Sequence, residues 1–196
     1  MYHLNDIFYS LQGEGYNTGR PAVFVRFSGC NLHCPFCDTY FTTRTDYTLT
    51  DLLAALTALR SDCVSGLTAQ RSLIVLTGGE PSLQVDEPLI NALHKAGFEI
   101  AIETNGTHTL PEGIDWITCS PKEGSKVVLN KVNELKVVYT GQDVERYYNS
   151  IPASVCYLQP CTQHDGSTNV ADVIDYIKAH PHWRLSLQTH KIIGFK

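Results

Sequence analysis

Short apolar segments alternate with helical or polar segments along most of this chain, and this alternation limits the fold class. The apolar segments are typical of β-strands, because β-branched and aromatic residues are frequent in them. Strands separated by helices or long crossovers favour a parallel sheet with helices packed outside it. Seven strands are predicted, at residues 21–28, 73–76, 98–102, 116–119, 135–139, 155–158 and 184–187.

Four helices are predicted between or after these strands. They cover residues 48–60 with Thr50 as the N-cap, a segment around 89–93 that stops at Gly97, residues 142–149, and a capped helix from about Asn169 to residue 179. Residues 61–71, with Cys63, are expected to form a polar loop. A complete eight-fold barrel has about 250 residues, whereas this chain has 196. We therefore expect one α/β domain over residues 1–196, an incomplete TIM-type barrel of parallel strands with outer helices, open on one side.

Polar motifs stand at or just beyond the carboxyl ends of most predicted strands. In parallel α/β folds that edge of the sheet is where ligands bind. Because so many polar segments would meet at one edge, the sequence predicts a single shared site there. The motifs are Arg26 with the cysteines after it, and residues 77–81, 103–106, 120–122, 159–162 and 188–191.

Three cysteines follow the first predicted strand in the pattern Cys30-x3-Cys34-x2-Cys37. Thiolates at this density are the usual ligands of iron–sulfur clusters or zinc. Structural zinc commonly uses two C-x2-C pairs. Here there is one such pair, so His33 or a distant cysteine would have to complete a zinc site. A four-iron cluster held by three thiolates fits best, with one metal position open to another ligand.

Charge and cysteine usage exclude several protein classes. The net charge is -5 and no basic stripe is visible, so nucleic-acid binding has little support. The N-terminal residues lack the features of a signal peptide, and no apolar run approaches the roughly 18 residues of a membrane span. Seven cysteines without a secretion signal favour reduced thiols in the cytoplasm.

Three segments have the chemistry of ligand-binding groups. In residues 12–15 two glycines let the backbone approach a ligand, and Gln12 and Glu14 can bond a planar polar molecule; an ordinary glycine-rich turn is the alternative. Arg26 interrupts an apolar strand, so it either snorkels or faces a carboxylate. Residues 77–81 expose backbone groups and the Glu80 carboxylate, with a plain strand-to-helix turn as the alternative.

The cysteine motif, followed after the next strand by Gly78-Gly79-Glu80-Pro81, resembles the radical S-adenosylmethionine (SAM) enzymes. The resemblance implies that Cys30, Cys34 and Cys37 hold three irons of a [4Fe-4S] cluster and that the methionine moiety of SAM chelates the fourth. It also implies that an electron from the cluster cleaves SAM to methionine and a 5′-deoxyadenosyl radical.

Nearly the whole chain, from Asp6 to Lys191, is similar to the 7-carboxy-7-deazaguanine synthase family. The resemblance implies a radical SAM lyase that converts 6-carboxy-5,6,7,8-tetrahydropterin into 7-carboxy-7-deazaguanine and ammonia by ring contraction, in the route to queuosine and other 7-deazapurines. SAM would be regenerated, and Mg2+ would be a further cofactor. The matching segments are residues 11–15, the strand with Arg26, residues 37–39, 77–81, 103–106, 120–122, 159–160 and 188–191.

The same resemblance assigns the site residues. Substrate would contact Leu11, Gln12, Gly13, Glu14, Arg26, Thr77 and His190. SAM would contact Phe36, Cys37, Asp38, Gly79, Glu80, Ser120, Pro121, Lys122, Gln159, Pro160, Cys161 and Thr162. Thr39 would be the Mg2+ ligand, no protein residue is expected to act as general base, and the Cys161 thiol is expected only to pack.

The family also implies a homodimer and an electron donor such as flavodoxin or ferredoxin, and the C-terminal carboxylate could reach the active site. Two other functions stay open. A different radical SAM enzyme, such as a glycyl-radical-enzyme activase, would share the cysteines but would not need residues 11–15 or 188–191. A non-enzymatic metal-binding module would purify as a colourless protein with zinc.

Overall fold

A computed structural model describes residues 1–37, 39, 43–63, 71–163 and 165–195, with the backbone alone at residues 61–63. Five helices are described: α1 Leu49–Cys63, α2 Glu87–Lys95, α3 Glu145–Ser150, α4 Val170–Ala179 and α5 Thr189–Ile193, with a 3-10 turn at Pro81–Leu83. The strands are β1 Tyr2–Leu11, β2 Pro21–Phe27, β3 Thr45–Tyr47, β4 Ser72–Gly78, β5 Phe98–Thr104, β6 Trp116–Cys119, β7 Val132–Tyr139, β8 Ala153–Pro160 and β9 Arg184–Leu185.

All the described strands form one sheet in the order β3-β1-β2-β4-β5-β6-β7-β8-β9. Strand β2 and the strands β4 through β9 are parallel, as predicted. The sheet has two ends, β3 and β9, so it is an incomplete TIM-type barrel with outer helices. At one end it differs from the prediction, because β1 and β3 add two antiparallel strands that the sequence had not indicated.

Strand alternation divides the apolar residues between two faces of the sheet. On β2, Val23, Val25 and Phe27 belong to a large cluster with the apolar side chains of α1 and α2. A second outer cluster joins α3 and α4 to β6, β7 and β8. The intervening residues Ala22 and Phe24 belong to a small inner cluster with residues of β4 and β5. Because side chains alternate along a strand, the next inward positions lie above this inner cluster, at the carboxyl edge.

The helix boundaries differ from the predictions at particular residues. Helix α1 is capped by Thr48 rather than Thr50, since Thr48 Oγ1 accepts from the Asp51 N–H (3.2 Å) and donates to its carboxylate (2.6 Å). The helix continues through Cys63, so residues 61–63 are helical and not a loop; residues 64–70 lie outside the described part. Helix α2 is followed by Gly97 with a φ of +83°, as predicted for a residue just past a helix.

Two elements near the end of the chain also depart from expectation. Asn169 precedes α4 but its side chain does not cap it; it accepts from the Cys161 N–H (2.8 Å) and donates to the Tyr139 carbonyl (2.9 Å). Strand β9 ends at Leu185, and residues 189–193 form the unpredicted helix α5. Among the described residues, none of the helices has the length and apolar character of a membrane-spanning segment.

Candidate active site

A cavity of about 620 Å³ opens at the carboxyl ends of the parallel strands. Its floor includes Phe24 and Val75 of the inner cluster, and the next inward residues, Arg26 on β2 and Thr77 on β4, line its wall. The predicted site residues on the wall are Leu11, Gln12, Gly13, Glu14, Arg26, Cys30, Cys34, Phe36, Cys37, Thr39, Thr77, Gly79, Glu80, Ser120, Lys122, Gln159, Pro160, Cys161, Thr162 and His190. Pro121 is buried between two of these residues and is not itself on the wall, and Asp38 lies outside the described residues.

The cysteine loop follows β2 and forms one side of the cavity. A turn joins the Cys37 N–H to the Cys34 carbonyl (3.1 Å), and the Leu32 N–H donates to Cys30 Sγ (3.4 Å). Burial raises the pKa of Cys30 and of Cys34, and neighbouring cysteine thiolates raise these values further. The loop therefore needs a bound positive charge to hold its thiols ionised, which a metal cluster supplies.

The donor set fits an iron–sulfur cluster better than a single ion. Three thiols line the same cavity, which is the ligand chemistry of such clusters. In the part of the chain that the structure describes, no group of three or more His, Cys, Asp or Glu side chains is close enough to hold one metal ion.

Two glycines at the end of β4, Gly78 and Gly79, pack directly against the backbone where β2 ends and the cysteine loop begins. The Gly79 N–H donates to the Phe27 carbonyl (2.9 Å), and the Glu80 N–H donates to the Gly29 carbonyl (2.8 Å). A Cβ on Gly79 would collide with the Gly29 carbonyl, and Gly78 has a φ of +120°. Both positions therefore require glycine, and this backbone contact fixes the cysteine loop to the end of β4.

Gly79→Ala is expected to displace the cysteine loop and lower the iron content of the reconstituted protein, because the added methyl meets backbone and not a movable side chain. Overpacking of this kind costs about 1–3 kcal/mol. Iron per chain and cluster absorbance after anaerobic reconstitution measure the effect. The control is Gly141→Ala, where the added methyl meets no atom within 4 Å; Gly141 has a φ of +88°, so this variant carries a backbone strain that Gly79→Ala does not. Equal iron contents in the two variants would contradict the expectation.

The Glu80 carboxylate is buried, with 1% of the residue exposed. Oε1 accepts from the Ser82 N–H (3.0 Å) and the Thr104 hydroxyl (2.6 Å), and Oε2 accepts from the Asn105 N–H (2.7 Å). The Asn105 side-chain amide in turn donates from Nδ2 to Asn31 Oδ1 in the cysteine loop (3.0 Å). Glu80 thus ties the ends of β4 and β5 to that loop, whereas the sequence suggested a partner for a ligand cation; a contact with SAM stays a prediction.

Lys136 provides a buried positive charge on the cavity wall, between two carboxylates. Its ammonium lies 2.7 Å from Glu14 Oε2 and 2.9 Å from Glu103 Oε2, and its side chain is 5% exposed. Gln12 donates to Glu103 Oε1 (3.2 Å). These contacts join the turn after β1 to β5 and β7, and they hold two acidic groups at this end of the cavity.

Burial and the charge of Lys136 together shift the pKa values of the two carboxylates in opposite directions. Burial would raise the pKa of Glu14, but the charge of Lys136 and hydrogen bonds from Lys136 and Gln188 lower it to about 2. For Glu103, burial outweighs Lys136, and the nearby carboxylates of Glu134 and Glu14 add to it, so its pKa rises to about 7. Burial would lower the pKa of Lys136, but the surrounding carboxylates raise it. Glu14 is thus an ionised acceptor, whereas the pKa of Glu103 is held above its ordinary value by burial and by the neighbouring carboxylates.

Glu134 on β7 contacts the turn at residues 12–15. Glu134 Oε2 accepts from the Tyr16 N–H (3.1 Å) and from the Trp116 indole (3.2 Å), while Oε1 is buried without a hydrogen-bond partner among the described residues. Gly15 has a φ of +65°, and a Cβ there would collide with this carboxylate. Glycine is therefore required for the turn to lie this close to β7.

Arg26 is half-buried, and its side chain lines the cavity. Its Nη1 lies 3.4 Å from Thr39 Oγ1, and its guanidinium carbon lies 5.8 Å from the centre of the Phe8 ring. Phe8 stacks on Phe24 with ring centres 5.0 Å apart. An aromatic surface thus lies beside a guanidinium, an arrangement suited to a flat ligand that carries a carboxylate.

Sequence reasoning missed Lys136 and Glu134, and it gave Glu103 no separate role. Lys136 stands within the run predicted as a strand, residues 135–139, and Glu134 stands one residue before that run. Both belong to β7, two residues apart, and so face the same side. A charged residue inside an apolar strand was the signal that had singled out Arg26. The same signal was present at Lys136.

The chain is similar to known proteins over nearly its whole length. The model of the radical SAM superfamily matches residues 24–148. The chain is 50% identical to the 7-carboxy-7-deazaguanine synthase of Bacteroides thetaiotaomicron over 100% of both chains, and 46% identical to that of Burkholderia multivorans over 98% of both. The crystal structure of QueE from Escherichia coli matches with a TM-score of 0.74 and 33% identity, covering 96% of this chain and 94% of that one.

Proposed function

The chain belongs to the 7-carboxy-7-deazaguanine synthase family of the radical SAM superfamily, and from this premise we propose that it converts 6-carboxy-5,6,7,8-tetrahydropterin into 7-carboxy-7-deazaguanine and ammonia. One observation carries the proposal for this chain. A single cavity contains the three-thiol loop, a guanidinium beside aromatic rings, and a pair of carboxylates held by a buried lysine. A radical source and a site for a flat, carboxylated, nitrogen-rich molecule thus share one enclosure.

Cys30, Cys34 and Cys37 would hold the [4Fe-4S] cluster, and the strand ends at residues 79–80, 120–122 and 159–162 would hold SAM. When bound, these groups supply the radical that abstracts a hydrogen atom from the substrate. The chain's own residues bind and orient the substrate. Since they line a cavity floored by aromatic and apolar side chains, they also keep much of the solvent from the reacting atoms.

The carboxylate end of the cavity suits the pyrimidine half of a pterin. That half presents an amino group and ring N–H donors, which match the acceptor oxygens of the Glu14 carboxylate. Glu14 is ionised, because Lys136 lies 2.7 Å from its Oε2. An ionised acceptor makes stronger hydrogen bonds than a neutral one, so Glu14 fixes this edge of the substrate.

The other end of the cavity suits the substrate carboxylate, through Arg26. The Thr39 hydroxyl, 3.4 Å from the guanidinium, supplies a hard oxygen of the kind that Mg2+ prefers. One protein oxygen is too few for magnesium, so the substrate carboxylate and water would complete its ligands. Substrate orientation therefore follows from charge, with anionic protein groups at one end and cationic groups at the other.

Arg26→Ala is expected to raise KM for the pterin roughly 10- to 100-fold, because hydrogen bonds to charged groups contribute about 1.5–3 kcal/mol. The iron–sulfur absorbance should stay unchanged, since the described contacts of the guanidinium are with Thr39 and Phe8. Steady-state kinetics and the visible spectrum measure the two effects. The matched control is Arg184→Ala, on the exposed strand β9. Loss of the cluster in Arg26→Ala would instead make Arg26 structural.

Depletion of Mg2+ is expected to slow turnover roughly tenfold or more, since a metal ion at the substrate carboxylate contributes several kcal/mol. SAM binding should be unaffected, because Thr39 and Arg26 belong to the substrate end. Turnover in metal-depleted buffer, restored by added MgCl2, and SAM titrations without reductant measure the two quantities. Unchanged turnover would remove the magnesium site.

The proposed function is tested by an anaerobic assay with the cluster-replete protein, a reductant, SAM and carboxytetrahydropterin. Formation of the deazaguanine product is expected. If SAM is consumed without product, another radical SAM reaction is indicated, of which an activase of a glycyl-radical enzyme is the alternative. If the purified protein is colourless and binds one zinc per chain, both radical SAM functions are contradicted.

We also propose that the protein acts in the cytoplasm as a homodimer, with a flavodoxin or ferredoxin as electron donor. The family supports these statements, and the chain carries exposed apolar residues, Ile192 and Ile193, at 66% and 69% exposure. Sedimentation velocity gives the oligomeric state directly. Reduction of the cluster by purified flavodoxin or ferredoxin tests the donor.

A further inference from the structure

Residues 186–190, here called the connecting segment, stand between two parts of the cavity wall. On one side lies the segment at residues 159–162, and on the other lies the turn at residues 12–15. The Thr189 N–H and hydroxyl both donate to the Gly13 carbonyl, at 2.9 and 3.0 Å. The connecting segment therefore contacts the turn directly, although 176 positions of sequence separate Gly13 from Thr189.

A first hydrogen-bond bridge crosses the connecting segment at Ser186. The Gly15 N–H donates to Ser186 Oγ (2.9 Å), and Ser186 Oγ donates to Gln159 Oε1 (3.3 Å). Ser186 and Gln159 are 3% and 5% exposed. Because solvent is largely excluded from this bridge, breaking it would leave buried polar groups unsatisfied.

A second bridge crosses the segment at Gln188. The Thr162 hydroxyl donates to Gln188 Oε1 (3.2 Å), and Gln188 Nε2 donates to Glu14 Oε1 (2.8 Å). The other carboxylate oxygen of Glu14 is held by Lys136 at 2.7 Å. Gln188 thus sets the orientation of a carboxylate whose charge is already secured by the lysine.

Each bridge joins a residue assigned to SAM with a residue of the turn assigned to the substrate. We infer that Ser186 and Gln188 are positioning residues that couple the two ligands, so that SAM and the pterin each increase the affinity for the other. The inference rests on the proposed function, because it uses the ligands named there. It goes further by giving a binding role to two residues outside the predicted ligand contacts.

The physical origin of the coupling is the cost of ordering the connecting segment. Strand β9 has two residues and α5 has five, and both carry exposed apolar side chains. Little apolar burial anchors this part of the chain, so its order depends strongly on polar contacts. A ligand that orders Gln159 and Thr162 also orders the connecting segment. The second ligand then meets a turn that is already in place and loses less conformational entropy.

The coupling is measured on the cluster-reconstituted protein without reductant, so that SAM stays intact. Calorimetric titration gives Kd for SAM with and without saturating carboxytetrahydropterin, and the ratio of the two is the coupling factor. Couplings between sites are typically about 5–150-fold, and the reverse titration must give the same factor. We expect a factor of about fivefold or more in the native protein, a smaller factor in Ser186→Ala and in Gln188→Met, and a loss of coupling in the double variant.

Ser150→Ala is the matched control, since Ser150 lies on α3 and its hydroxyl donates to carbonyls of its own helix. A purely structural role would weaken each ligand alone and leave the factor unchanged, so an unchanged factor in both variants overturns the inference. If one of the two variants loses its cluster absorbance, the other variant alone tests the inference. If the native protein does not bind the pterin at all, the proposed function fails as well. If it binds both ligands with a factor of one, only the coupling fails.

Discussion

Lys136→Met is expected to destabilise the protein by about 3–5 kcal/mol, because it leaves the Glu14 and Glu103 carboxylates without their buried counter-charge. It should also raise KM for the pterin, since a Glu14 that takes up a proton is no longer an ionised acceptor. Chemical denaturation and steady-state kinetics measure these effects. Lys136→Arg, which keeps the charge, should recover part of the stability. The matched control is Lys178→Met, whose lysine is exposed on α4.

The pH dependence of this variant identifies the cause. Without Lys136, burial places the pKa of Glu14 above its ordinary value of 4.5 and raises that of Glu103 beyond about 7. A carboxyl group whose pKa is raised by folding stabilises the fold below its unfolded pKa, and this contribution is lost as pH rises through the folded pKa. In the native protein Glu14 has the opposite behaviour, because its pKa is lowered. The stability difference between native protein and variant should therefore grow from pH 5 to pH 8. A constant difference would show that lost packing, and not unpaired charge, is responsible.

Glu80→Gln is expected to lower the stability of the cluster-free protein by about 2–3 kcal/mol, or roughly 5–10 °C in Tm. The amide group of glutamine would face at least one of the donors that the carboxylate now accepts, among them the Asn105 N–H and the Thr104 hydroxyl. Thermal unfolding without SAM measures the effect. The control is Glu112→Gln in an exposed loop, where a change within about 0.5 kcal/mol is expected.

This substitution also separates two roles for Glu80. If the residue acts mainly by joining β4, β5 and the cysteine loop, the cluster-free protein loses stability whether or not SAM is present. If it acts mainly as a SAM ligand, Tm of the cluster-free protein stays close to that of the native protein and only SAM affinity falls. The three hydrogen bonds to its carboxylate favour the first outcome.

The parallel part of the fold and much of the cavity wall could be predicted from the sequence, because they depend on local patterns. An apolar run followed by a polar motif gives both a strand and the position of its end, as at Thr77 and Gln159. The two antiparallel strands lacked such a pattern, and β3 has only three residues. For α1, the spacing from Thr48 to Asp51 is that of a capping box. This spacing identifies the cap better than the preference for threonine alone.

The ion pairs of Lys136 with Glu14 and Glu103 could not be predicted from local sequence patterns. Whether Lys136 is buried depends on Glu14, which lies 122 positions away in sequence. Local patterns do not contain that information. Helix α5 is a similar case, since its first residue is held by the carbonyl of Gly13. Both features arise only when the turn after β1 meets the far side of the incomplete barrel.

The contact between Gly13 and Thr189 also sets an order in which the cavity can be completed during synthesis. A ribosome adds about 5–20 residues per second, so residues 30–37 are made long before residues 186–190. A growing chain that has reached β8 already contains the cysteine loop and the end of β4 that supports it. It still lacks Ser186, Gln188 and Thr189, which hold the turn at residues 12–15. The metal-binding end of the cavity can thus form on a partly made chain, whereas the substrate end must wait for its last pieces to emerge.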